Sequence, residues 1–468
     1  MPHCPYPCLR LAQKVRNFTK GRVGVLHKTQ HRGAVIALPR RRMLFGVAAA
    51  AGVAAFPALP RRATPTRADT SVHISILGPW GGQAGFPQDL LRAFAVRHPR
   101  IRVSVFTPLS QDAPTTFAQQ VRAGVADVIP MSYGLTAMTF IRKGWLLDLR
   151  PFVTAANFNP NPFGALMKQL ASPNGLYMLP YTVLIKAVLC NQELFAAANV
   201  PLPGLTWTWP EFLKTARRLT RTAGGARVWG LAANSSDLVW QWMQQVGRGG
   251  TAAPSPETLR RILGQFGGRA GSSFLLPTAT PSVGTGVFKP LNMEGSTSQV
   301  QRWSAFANAR AAMMVTGADA WLLSRVARLL PVRWAVVPTP HPAGAPNEIV
   351  LSGVSVLGAA AATRAPEAAW TFIAFASGPD GVVAFEPGSL PAYRSPQTES
   401  RWVAAARPAP GMEWVFHMPW AVAQIPGGVL ISGSLFNGIN GVLYHGWSVD
   451  KAVALYETAA QQAGVHLS

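Results

Sequence analysis

The strongest constraint on the fold is residues 179–219, LPYTVLIKAVLCNQELFAAANVPLPGLTWTWPEFLKTARRL. The apolar, β-branched run from Tyr181 to Leu189 suits a buried strand. Asn191 to Phe195 then starts a short helix, which Pro201 and Pro203 break. Thr208 caps the next helix, with Glu211 reaching back in a capping box and Pro210 in the first turn. Phe212, Ala216 and Leu219 fall on one face of that helix at helical spacing.

Upstream, Val72, Ile74 and Ile76 alternate, and so do Ile101, Val103 and Val105. Between them Phe86-Pro87-Gln88 opens a helix in which Leu90, Leu91 and Phe94 share a face, and Pro99 stops it. This is a β-α-β unit of the kind that builds a parallel, doubly wound sheet. A helix near 115–123, a strand from Asp127 to Met131 and a further helix continue the pattern. Downstream, strands are expected at 228–233, 334–337 and 349–356. A helix is expected from Pro366 to Phe375, and two more between Val429 and Gly464. Residues 267–298 are rich in Gly, Ser, Thr and Pro and read as a surface excursion.

At 468 residues the chain is long enough for two lobes with separate cores. Hydrophobic residues make up 49% and charged residues 13%, a foldable composition. The formal charge of +24 is unevenly placed. Residues 1–68 hold 13 Lys and Arg and no acid, and the remainder holds 30 basic against 19 acidic residues. The basic residues are scattered, with no zinc-finger spacing, RNP pattern or basic helix, so no nucleic-acid partner is expected. A shortage of surface carboxylates suits an acidic medium, where they lose their charge. Cys4 and Cys8 lie in the leader, so Cys190 has no internal disulfide partner and reads as a small buried hydrophobe.

The 179–212 stretch resembles the family 1 extracellular solute-binding proteins of ABC importers, the relatives of the maltose-binding protein. Asn191, Leu194 and Phe195, then Thr208, Trp209, Glu211 and Phe212, match the family's Asn-Lys-Asp-Leu-Phe and Thr-Trp-x-Glu-Phe segments. Cys190 replaces a usual Tyr, and Gln192 a usual Lys. Ala311 to Gly317 followed by Trp321 resembles the family's apolar strand and Gly-x-x-Trp helix start. Pro366-Glu367-Ala368-Ala369-Trp370-Thr371-Phe372 follows a family helix almost letter for letter, and Gly388 to Tyr393 is similar to its Gly-x-Leu-Pro-Ala segment. The resemblance covers about residues 70–468. It implies an α/β type II periplasmic-binding-protein fold, two doubly wound lobes joined by a multi-strand hinge. The expected division is 1–68 as an N-terminal extension and export signal, 69–180 with about 345–395 as the first lobe, and 181–344 with about 396–468 as the second.

Ligand contacts are expected in the crevice outside the carboxyl ends of the strands. Trp80, in Gly78-Pro79-Trp80-Gly81-Gly82, offers a flat face for a sugar ring or packs into a tight turn. Tyr133 follows the Asp127 strand as a ligand contact or a structural Tyr, and Tyr181 and Tyr393 join the candidates. The resemblance matches Asp237 to an acidic residue that grips sugar hydroxyls, and Trp240 and Trp242 to its aromatic neighbours. Asp237 equally serves as a helix cap, and one of the two tryptophans reads as core. Asp319 and Trp321, at the helix start after Gly317, are cleft candidates, Asp319 otherwise serving the helix dipole. Trp414 and Trp420 are candidates for an aromatic wall. The acidic residue that the maltose branch carries in its crossing strand aligns with Leu184, which speaks against maltose itself.

Arg40-Arg41-Arg42 precedes the uncharged, Ala-rich run Met43 to Leu59, the layout of an export signal. Arg41-Arg42-Met43-Leu44-Phe45 resembles a twin-arginine signal, with a Sec signal or an uncleaved membrane anchor as the alternatives, and no Cys follows the run for lipid attachment. The expected protein is an exported, monomeric receptor. It takes a small solute, favoured as a carbohydrate by its 15 Trp, and delivers it to ABC permease subunits. No cofactor, metal or catalytic residue is expected. The sequence lacks Gly-x-Ser-x-Gly, a Gly-x4-Gly-Lys loop and His-Glu-x2-His. A secreted glycosidase or esterase is the alternative from another class, and a receptor for glycerol phosphate or a polyamine the alternative ligand assignment.

Overall fold

The computed structural model describes residues 71–77, 87–106, 119–133, 135–170, 174–246, 253–266, 285–288, 293–317, 329–381, 384, 390–406, 411–422 and 428–467. Strands β1 (Val72–Leu77) and β2 (Ile101–Phe106) run parallel, connected through the Gln88–Arg97 helix. β3 (Val128–Ser132) lies parallel to β1 on its other side. This is the expected β-α-β unit, and Leu90 and Phe94 bury its helix against the sheet. Asp127 fastens the unit to the returning chain. Its carboxylate accepts from the Ser75 N–H at 2.8 Å and from the Thr363 hydroxyl at 2.5 Å.

β4 (Met178–Asn191) is the expected buried strand, and at 14 residues it is the longest in the sheet. Its first half pairs antiparallel with β11 (Ile349–Ala359), which also pairs with β3. Its second half pairs with β9 (Ala311–Gly317) and β10 (Trp334–Pro338). β6 (Ala226–Ala232) continues the sheet beside β9, and β5 (Arg221–Ala223) closes that edge. β12 (Leu390–Pro391) adds to β4, and β13 (Trp420–Val422) to β11. β7 (Thr285–Phe288) and β8 (Met293–Ser296) form a separate antiparallel ribbon. They fall in the segment expected to be a surface excursion, and a helix, Thr297–Ala307, follows them directly.

Alternation along β4 divides its side chains between two apolar cores. Val183, Ile185, Ala187 and Leu189 enter the core that contains β1, β3, β11 and the Pro366–Ser377 helix. Val188 and Cys190 enter a second core, built from the Trp209–Leu219, Ser235–Val246, Pro256–Phe266, Gly428–Tyr444 and Val449–Gln462 helices. Two layers of helices therefore bear on one strand from opposite sides, the arrangement a near-continuous apolar run demands. Cys190 is free and fully buried, and burial pushes its thiol pKa far up, so it behaves as a small hydrophobe.

The local signals around β4 hold in detail. The Asn191 side chain accepts from the Glu193 and Leu194 N–H groups and caps Gln192–Ala197. Thr208 and Glu211 form the reciprocal capping box, with Pro210 in the first turn. Gly230, in β6, lies so close to the preceding helix that an added Cβ would meet the Ala216 carbonyl oxygen at 1.8 Å. No helix among the described residues is long and apolar enough to cross a membrane.

Candidate functional site

Four chain segments converge where β4 passes from one core to the other. β4 contributes Lys186, the single charged residue in the strand, paired in register with Gly317. Lys186 precedes the core-facing Ala187, so it projects on the other face. The carboxyl end of β9 contributes Thr316 and Gly317. The loop after β6 contributes Asn234, and the first turn of the Ser235–Val246 helix contributes Asp237. The Thr297–Ala307 helix presents Gln299, Arg302 and Trp303. These line a cavity of about 240 Å³.

A second cavity of about 240 Å³ shares Lys186 and Asp237 with the first. Its other walls are Trp240, Gln241 and Gln244 from the same helix as Asp237, Val350 to Ser352 of β11, and Phe436. Trp240 is half-buried, edge-on to Phe436 with ring centroids 6.3 Å apart. The shared wall is an ion pair, Lys186 Nζ to Asp237 Oδ2 at 3.1 Å. Arg302 lines the first cavity together with this pair. Burial lowers its guanidinium pKa, opposed by the charge of Asp237.

Polar groups in both cavities are held in place. The Tyr444 hydroxyl donates to Asn234 Oδ1 at 3.1 Å. Gln241 Nε2 donates to the Thr339 hydroxyl at 2.8 Å, while its buried Oε1 finds no partner among the described residues. The lining offers carboxylate, amide, hydroxyl and cationic groups beside the aromatic side chains of Trp303, Trp240 and Phe436. That chemistry suits binding a small polar solute.

The bacterial extracellular solute-binding protein family model matches residues 80–383. The chain belongs to that family. No curated protein sequence is significantly similar to this solute-binding protein. Solved structures are. A sugar transporter from Rhizobium etli in an open conformation superposes with a TM-score of 0.68 at 20% identity, covering 84% of this chain and 99% of its own. The sugar-binding protein MalE from Xanthomonas citri gives 0.64 at 18% identity, covering 84% and 98%. UgpB from Mycobacterium tuberculosis, in complex with glycerophosphocholine, gives 0.59 at 19%, covering 84% and 98%. The fold is the expected type II periplasmic-binding-protein fold.

The structure brings two of the expected contact residues, Asp237 and Trp240, to the cavities of this solute-binding protein. Trp242 goes elsewhere. It is buried in the second core, stacked on Trp209 with centroids 4.9 Å apart and planes at 7°. Tyr393 is also core, edge-on to Phe163 at 5.2 Å, and burial raises its pKa. Tyr133 and Tyr181 are half-buried against the first core. Trp414 and Trp420 are buried in that core rather than forming an exposed aromatic wall. Trp80, Asp319 and Trp321 lie outside the described residues. Sequence reasoning missed Lys186, Asn234, Gln299, Arg302 and Thr316. Lys186 carried a signal, as the one charge inside an apolar strand.

Proposed function

We propose that this solute-binding protein is an exported receptor that captures a small polyhydroxylated solute in the paired cavities flanking Lys186 and Asp237. In this reading the solute sits between two lobes, 69–180 with about 345–395 and 181–344 with about 396–468. Asp237, Asn234, Thr316 and Gln241 hydrogen-bond its hydroxyls, and Trp240 covers an apolar ring face. β4 and β11 cross at the floor and provide the hinge on which the lobes close over the ligand. The closed form then engages the permease subunits of an ABC importer, as a monomer. The 40–68 segment, with its arginines and Ala-rich run, is the export signal of this reading.

The observation that carries the proposal is the Lys186–Asp237 pair standing between two polar cavities beside the half-exposed Trp240. The sugar transporter from Rhizobium etli and the sugar-binding protein MalE from Xanthomonas citri support a carbohydrate class. Asp237 is the single carboxylate lining the cavities among the described residues, whereas glycoside hydrolysis ordinarily takes two. This favours capture without conversion.

Thermal denaturation with a panel of neutral sugars, polyols, their phosphates and acids, and polyamines tests the proposal. A true ligand raises Tm with its concentration, and it is recovered unchanged after incubation. A panel without a single stabilising member, or a recovered product, counts against it.

A further inference from the structure

We propose that the solute carries an acid group, a carboxylate or a phosphate, which seats on Arg302 while its hydroxylated body extends past Asp237 toward Trp240 and Gln241. This rests on the reading of the cavities as the solute site and specifies the ligand's chemistry.

The charges around the first cavity do not balance. Lys186 and Arg302 bring two positive charges, and Asp237 is the one carboxylate lining it among the described residues. Asp237 is already committed to Lys186, at 3.1 Å. Arg302 is partly buried and has no ion pair or hydrogen bond among the described residues. Desolvation lowers its guanidinium pKa, opposed by the charge of Asp237. A guanidinium nevertheless keeps its charge in a protein. A desolvated cation without a counter-ion is costly, and an incoming anion removes that cost. The planar fork of Arg matches the oxygens of a carboxylate or phosphate in a bidentate manner.

The opposite cavity asks for a different chemistry. Gln241 is 4% exposed, its amide is fixed by Thr339, and its Oε1 is unpartnered. Apart from the Lys186–Asp237 pair, the polar side chains of that cavity are uncharged, Gln241, Gln244 and Ser352, which suit hydroxyls better than an anion. Trp240 beside it offers an apolar face. Hydroxyls at this end and an acid at the Arg302 end satisfy both. A neutral sugar suits the uncharged cavity and leaves Arg302 without a counter-ion among the described residues.

The test is calorimetric titration of the wild-type chain with matched pairs: glucose against glucuronate, glucose against glucose 1-phosphate, and glycerol against glycerol 3-phosphate. Acetate and inorganic phosphate serve as bare-anion controls. The acid member of at least one pair is expected to bind roughly tenfold or more tightly than its neutral partner. Its affinity should weaken as salt rises. Arg302→Gln should erase the preference, and Arg302→Lys should retain part of it. The ligand-free Arg302→Met chain should melt no lower than wild type, because the substitution removes an uncompensated charge. Neutral members binding as well as acids would overturn the inference and leave the solute-binding reading standing. So would a preference that survives Arg302→Gln, or a large drop in ligand-free Tm for both the Gln and Met variants. Binding of no member of any pair would count against the site itself.

Discussion

The Lys186 ammonium lies 3.1 Å from an Asp237 carboxylate oxygen, and the pair forms the wall common to two polar cavities. Its side chains retain 21% and 42% of their exposure, so solvent screens the attraction. Such a pair contributes about 0–1 kcal/mol to stability. In the proposed ligand-bound state the carboxylate accepts from hydroxyls. Asp237→Ala is therefore expected to leave the denaturation midpoint nearly unchanged. It should weaken solute binding by on the order of tenfold to a hundredfold. Parallel urea melts and calorimetric titrations measure both quantities. Wild-type affinity in Asp237→Ala would remove the residue from the site.

Trp240 and Trp242 should respond in opposite ways. Trp240 faces a cavity and Trp242 stacks on Trp209 inside the second core. Trp240→Ala is expected to cost solute affinity with little loss of stability. Trp242→Ala is expected to cost about 3–5 kcal/mol of stability, the usual penalty for emptying a buried aromatic site. Chemical denaturation of the two variants, with titration of whichever remains folded, distinguishes the roles. Equal destabilisation by both would contradict the assignment.

These two residues also show where sequence reasoning stops. Two positions along a helix turn a side chain to nearly the opposite face. One tryptophan of the pair was bound to be core, and only packing against Trp209 and Phe266 decides which. Features governed by near neighbours in the chain were legible. These include the Thr208–Glu211 capping box, the Asn191 cap, the β1-helix-β2 unit and the apolar run of β4. Arg302 was not legible, because its place at the cavity depends on where the Thr297–Ala307 helix docks against β9. Trp414, Trp420 and Tyr393 carry polar handles that suit a binding surface equally well. The Trp420 indole N–H is instead satisfied internally, donating to the Val415 carbonyl at 2.8 Å.

Asp148 gives the fold an acid-sensitive contact. Burial alone would raise its carboxyl pKa. Hydrogen bonds from the Arg150 side chain and from the Arg150 and Leu176 N–H groups outweigh that and hold it below the ordinary carboxylate range. The native state therefore binds the proton less readily than the unfolded chain. The stability this provides is present above about pH 4, the unfolded value, and is lost as pH falls through the lower native value. Asp148→Asn should destabilise at pH 7, and its difference from wild type should shrink toward pH 2. Denaturation across that range measures the slope, and a gap that widens in acid would contradict the assignment.

Gly230 is a position where β6 and the Trp209–Leu219 helix nearly touch. A Cβ there would sit 1.8 Å from the Ala216 carbonyl oxygen, and the Gly230 N–H donates to the Thr220 hydroxyl at 2.9 Å. Gly230→Ala forces helix and strand apart and should cost about 1–3 kcal/mol, as overpacking does. Urea denaturation gives the figure, and an unchanged midpoint would mean that the two elements separate freely.

Calorimetric titration of the folded chain with the solute that most raises its Tm tests directly whether the two cavities hold a dissolved molecule and leave it intact. Saturable heats at one site per chain are expected, ending at a flat baseline and shifted to weaker affinity in Asp237→Ala. Heats that no solute in the panel produces, or a baseline that keeps releasing heat as a substrate turns over, would show that this chain does something else.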